Sequence, residues 1–147
     1  SNVTTMSCMF HACGKLTNIA ISSFNTSKVT DMRSMFGNCS VLSSLDLSRF
    51  NTVQVTDMSN MFSSCRELVT INVSTEFTTD EVTSSSFMFN DCPSLVGGNG
   101  TTYNSSKTDK TYAHIDGGES DPGYFTGDLT TNRATGYSYA PGLSFKN

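Results

Sequence analysis

Residues 24–50 read FNTSKVTDMRSMFGNCSVLSSLDLSRF. Shifted by 26 residues, the same pattern lies on both sides. Val3 falls on Val29 and then Val55; Met9-Phe10 falls on Met35-Phe36 and then Met61-Phe62. Cys13, Cys39 and Cys65 share one position, and Leu16, Leu42 and Leu68 share another. A fourth copy follows after a shift of 27, with Val82, Met88-Phe89, Cys92 and Leu95. A fixed period of this length marks an array of structural repeats, each needing its neighbours to bury its apolar face.

Within one unit the apolar spacing changes character. Val29, Met32, Met35 and Phe36 have the spacing of one helix face, with Thr30 as N-cap and Asp31 in the first turn. Gly37-Asn38 supplies a stop, because both residues tolerate the left-handed conformation. Leu45-Asp46-Leu47 alternates and predicts a short strand, two side chains inward and one outward. Each unit is therefore expected to run helix, turn, strand, turn. The first copy is expected to have its helix at 4–10 and its strand at 19–21. Stacking would set Leu45 beside Ile19 and Ile71, and Phe36 beside Phe10 and Phe62.

These residues resemble the BspA-like leucine-rich repeats of bacterial surface proteins. The matching signature is V-T-x-M-x-x-M-F-x-x-C-x-x-L-x-x-L-x-L-S-x-F. It fits residues 29–50 throughout and 3–24 nearly as well. The third copy carries a one-residue insertion between Val73 and Phe77. The fourth has Ser85 in place of the first Met and Gly98 in place of the strand's apolar residue. The resemblance covers roughly residues 1–95, and residues 112–125 are similar to a segment that follows such repeats. It implies an α/β fold: a right-handed leucine-rich-repeat solenoid, with a short helix and a short parallel strand per 26-residue repeat. It also implies an extracellular or cell-surface location and binding of host, matrix or neighbouring-cell proteins.

Three regions are expected. Residues 1–98 hold three full repeats and one degenerate one. Residues 99–125 form a loop and a β-rich C-terminal cap, with a strand at 112–115 and turns at Asp116-Gly117-Gly118 and Asp121-Pro122-Gly123. Residues 126–147 form a tail, an edge hairpin or linker. The chain opens at Ser1-Asn2-Val3, already at the beginning of a repeat, and shows no export signal. A fragment of a longer chain is the expectation.

The 147 residues carry a net charge of −4, and only 15% are charged. No Lys/Arg cluster exists, so no nucleic-acid partner is expected. No apolar run is long enough to span a bilayer, and no direct membrane insertion is expected. Four of the five cysteines (Cys13, Cys39, Cys65, Cys92) recur at one position, and Cys8 stands apart. Parallel side chains on stacked units are poorly aimed for bridging, so buried free thiols are favoured over a disulfide or a metal. His11 and His114 lack a nucleophile at a recognisable spacing. The loop with Asp116, Glu119 and Asp121 lacks EF-hand spacing and reads as a structural turn rather than a calcium site. The recurring Asp31 and Asp57 read as caps, and the repeated methionines as core. No enzyme activity, catalytic residue, metal or cofactor is assigned.

The outward strand positions carry the functional expectation. Asn18, Ala20, Ser44, Asp46, Thr70 and Asn72 are the candidate binding residues on the sheet face. All are small or polar. The expectation is a non-catalytic protein–protein interaction or adhesion scaffold. The alternative is a carbohydrate-binding surface using Tyr103 and Tyr124 with the tail residues Tyr137 and Tyr139.

Overall fold

A computed structural model of the chain describes residues 2–127. The element order is β1 (Ser44–Leu47), β2 (Thr70–Val73), a 3-10 turn at Lys110–Tyr112, another at Gly118–Ser120, and β3 (Phe125–Gly127). Among the described residues there is no α-helix, and the only sheet has three parallel strands. The helix-and-strand leucine-rich-repeat solenoid expected from the sequence is therefore overturned.

The reason lies in where the backbone N–H groups go. An α-helix returns each N–H to the carbonyl four residues back. Here the N–H groups of Met6, Cys8, Phe10 and Ala12 instead leave the first copy. They donate to the carbonyls of Asp31, Arg33, Met35 and Gly37 in the second, at 2.7–2.9 Å. Met32, Ser34, Phe36 and Asn38 donate likewise to Asp57, Ser59, Met61 and Ser63 in the third. The intervening N–H groups close tight turns, Met35 to Met32, Gly37 to Ser34 and Cys39 to Phe36. Each copy is thus a chain of turns tied sideways to the next.

The turns demand positive φ at their third residue. Cys8 and Ala12 supply it in the first copy, Ser34 and Asn38 in the second, Asn60 and Ser64 in the third, and Phe87 and Asp91 in the fourth, all between 53° and 61°. Asn38 does adopt the left-handed conformation expected of it, but inside the turn series and not as a helix stop. Turns repeating every four residues project side chains at nearly the helical interval. Val29, Met32, Met35 and Phe36 are accordingly all fully buried.

The strand expectation holds for two copies only. β1 and β2 pair in register, Leu45 opposite Ile71 and Leu47 opposite Val73. Residues 19–21 form no strand. In the fourth copy β3 takes the missing place, pairing Phe125 with Ile71 and Gly127 with Val73. Gly97 and Gly98 allow this, because a Cβ on Gly97 would collide with the Gly123 carbonyl and one on Gly98 would press on Thr126. The expected strand at 112–115 is instead the end of a 3-10 turn followed by a single bridge, Ile115 to Phe125. The cap is thus turns and bridges plus one strand lent to the repeat sheet.

Equivalent side chains lie over one another. Phe10, Phe36, Phe62 and Phe89 stack with ring centroids 5.7, 5.7 and 5.4 Å apart. Tyr124 meets Phe89 edge-on at 4.9 Å and closes that column. At the other end Met9 and Leu16 are exposed.

Candidate functional site

The sheet face is built by the period-2 alternation of β1 and β2. Leu45 and Leu47, with Ile71 and Val73, turn inward. Ser44 lies opposite Thr70, Asp46 opposite Asn72, and Asn72 opposite Thr126. Ser44 and Asp46 are exposed, while Thr70 and Asn72 are half-buried. Asp46 also accepts the Ser48 N–H at 3.0 Å, which fixes its carboxylate locally. Asn18 and Ala20 are exposed but stand outside the sheet. The structure thus aligns four of the six candidate residues in two short rows.

The glycan alternative loses two of its four tyrosines. Tyr124 is fully buried, and its hydroxyl donates to the Lys107 carbonyl at 2.9 Å. Tyr103 is half-buried, with its hydroxyl donating to the Phe89 carbonyl at 2.8 Å. Both are core parts of the cap. Tyr137 and Tyr139 lie outside the described residues.

The cysteines are free. The Cys39, Cys65 and Cys92 thiols each reach back to the preceding copy, donating to the carbonyls of Phe10, Phe36 and Phe62 at 3.1, 3.1 and 2.9 Å. Burial pushes all three thiols up, Cys92 to about 12. A donor has to keep its proton, so burial and hydrogen bonding act together. Cys13 is half-buried and Cys8 exposed.

Asp31 and Asp57 accept the N–H two residues ahead, from Arg33 at 3.0 Å and Ser59 at 2.9 Å. They cap turns, not helices. Asp116 is 2% exposed, and its carboxylate is saturated. It accepts from Asn99 N–H, Thr101 N–H, the Thr101 hydroxyl, Gly118 N–H and Gly123 N–H. Burial alone would raise its pKa; these bonds outweigh burial and hold the carboxyl below its usual value. The loop is a structural turn, its acceptor capacity filled by the protein. His114 Nε2 lies 3.1 Å from Asp121 Oδ1 in the same cap. Among the described residues no group of three or more His, Cys, Asp or Glu is placed to hold a metal ion.

Two threonines at equivalent repeat positions are structural. The Thr26 hydroxyl donates to the Asn51 carbonyl at 2.9 Å, and the Thr52 hydroxyl to the Thr78 carbonyl at 2.7 Å; both threonines are buried. Their signal was present in the recurring Phe-Asn-Thr at 24–26 and 50–52.

Residues 1–110 match the family described as "Mycoplasma protein of unknown function, DUF285". The chain belongs to the DUF285 family. No curated protein and no solved structure matches it. The DUF285 match takes in all four repeat copies and ends at Lys110, so the returning strand β3 lies beyond it. No helix among the described residues of this DUF285 chain is long and apolar enough to cross a membrane.

Proposed function

We propose that this DUF285 chain is an extracellular or cell-surface protein of BspA-like character, acting as a non-catalytic protein–protein interaction or adhesion scaffold. One observation carries the reading: small polar side chains are held in register on the sheet face, Ser44 with Thr70 and Asp46 with Asn72, above a fully apolar inner layer. A rigid polar face with few charges suits repeated contacts to another protein. Recurrence adds area without requiring one strong anchor. The partner would be a host, matrix or neighbouring-cell protein.

The test is adhesion of the purified chain to immobilised extracellular-matrix proteins and to intact host cells. Asp46→Arg combined with Asn72→Arg changes the face without touching the inner layer. Saturable binding that falls about tenfold in the double variant, equivalent to about 1.4 kcal/mol, with an unchanged melting temperature, supports the reading. Binding equal to wild type removes this face from the proposal.

A further inference from the structure

Asp121-Pro122 is the single Asp-Pro pair in the sequence. The nitrogen of an amide to proline is tertiary and leaves more readily than an ordinary amide nitrogen. An aspartate carboxylate can also attack its own main-chain carbonyl carbon, closing a five-membered ring. In a free chain that approach is rare, because side chain and backbone both rotate. Here Asp121 is held from several sides. Its N–H donates to the Gly118 carbonyl at 3.1 Å, and its own carbonyl accepts the Gly117 N–H at 2.8 Å. The second bond polarises that carbonyl. Asp121 Oδ1 lies 3.1 Å from His114 Nε2, a buried atom with no other polar partner among the described residues. Asp121 Oδ2 and the Asp121 carbonyl oxygen both face Gly117, at 3.3 and 3.0 Å from where a Cβ would stand there. On the far side of Pro122 the Gly123 N–H donates to Asp116 at 3.3 Å, and a Cβ on Gly123 would strike the His114 carbonyl. The Asp121 side chain is 71% exposed, so water reaches it.

We propose that the Asp121–Pro122 peptide bond is a self-cleavage site. Asp121 Oδ2 forms a bond to the main-chain carbonyl carbon of the same residue, and the bond from that carbon to the Pro122 nitrogen breaks. The nitrogen takes a proton from solvent and leaves as a secondary amine. The cyclic anhydride left on Asp121 adds one water and opens, so Asp121 becomes a C-terminal residue with two carboxyl groups. The balance is one water consumed per chain. Asp121 is the nucleophile. The Gly117 N–H steadies the carbonyl oxygen as negative charge builds on it. His114 is a positioning residue: it fixes Oδ1 and so presents Oδ2. The event happens once per molecule and does not depend on the interaction reading of the sheet face. The two pieces stay together, because Tyr124 is fully buried and β3 remains paired with β2. The cut is therefore read under denaturing conditions.

The purified 147-residue chain is incubated for days in mildly acidic buffer, which supplies the proton the departing nitrogen needs. Samples are then denatured and weighed by mass spectrometry. The expected products are residues 1–121 and 122–147, with masses that sum to the intact chain plus one water. The same chain held unfolded in urea at the same pH measures the ordinary lability of an Asp-Pro bond. Cleavage in the native chain should be at least about tenfold faster, since positioning is what the fold adds. Asp121→Ala removes the nucleophile and should leave the chain intact. Pro122→Ala removes the better leaving nitrogen and should slow the cut about tenfold or more. His114→Leu should slow it about tenfold, and His114→Gln, which restores a donor, should recover most of the rate at an equal melting temperature. An intact native chain, or equal rates in the native and unfolded chains, overturns the site. Undiminished cleavage in Asp121→Ala overturns the nucleophile. A His114→Gln rate no higher than that of His114→Leu overturns the role given to His114.

Discussion

Asp116 shows how one carboxylate organises the cap. Its two oxygens gather five donors from three stretches of chain, around 99–101, 118 and 123. Asp116→Asn keeps the shape but replaces an acceptor oxygen with a donor facing N–H groups. A loss of about 1–3 kcal/mol is expected in denaturant titration. The pH sign follows from the depressed pKa. Its stabilisation is present above the unfolded carboxyl value near about 3.9 and is lost as pH falls through the lower folded value. Melting temperature should therefore drop below about pH 4 in the wild type and change less over that window in Asp116→Asn. The thiols give a second test at this scale. Cys8 should react with a thiol reagent in the native state, and Cys65 and Cys92 only on unfolding, since burial raises their pKa and closes access. That these cysteines are buried was legible from their recurrence with the core positions. That each pins the copy before it was not, because the acceptor is a backbone carbonyl 29 or 30 residues away.

The turn series decides the secondary structure. Apolar spacing at Val29, Met32, Met35 and Phe36 fits a helix as well as a chain of four-residue turns, so periodicity alone selects the wrong element. The discriminating signal is weaker: Asn38, Asn60, Ser34 and Ser64 sit where positive φ is required, and none is β-branched. Asn60→Val should cost about 1–2 kcal/mol in thermal unfolding, as a β-branched residue is forced into the left-handed region. Phe87 occupies the same position at φ 59° and is 57% exposed, so Phe87→Asn should cause no loss. Far-UV circular dichroism of the chain should lack the double minimum of an α-helical protein. The strands were more legible. Leu45-Asp46-Leu47 and Ile71-Asn72-Val73 alternate, and both pair as that alternation requires.

At the scale of the molecule, stability runs along the column of stacked residues. Phe36 lies between Phe10 and Phe62 and is fully buried, and Leu45 faces the same interior. Phe36→Ala or Leu45→Ala should cost about 2–5 kcal/mol. Asp46→Ala, on the outer face, should stay within about 0.5 kcal/mol. Equal losses in thermal melts would show that inner and outer faces have been exchanged. Tyr124 and β3 close the last copy, and Met9 of the first copy is exposed.

The sequence by itself determined the repeat, its length and, for the second to fourth copies, most of the side chains that face inward, because burial of equivalent residues leaves a periodic trace; Met9, expected in the core with the other methionines, is exposed. It also marked Asn18, Ala20, Ser44, Asp46, Thr70 and Asn72 as outward strand positions, of which only the last four lie in the sheet. Only the tertiary structure decided that the turns would bond to their neighbours instead of coiling into helices, and that β3 would return from the cap to complete the sheet. Both outcomes rest on backbone hydrogen bonds between distant residues. A backbone donor is the same in every residue but proline, so its choice of partner leaves almost no mark in the side-chain pattern.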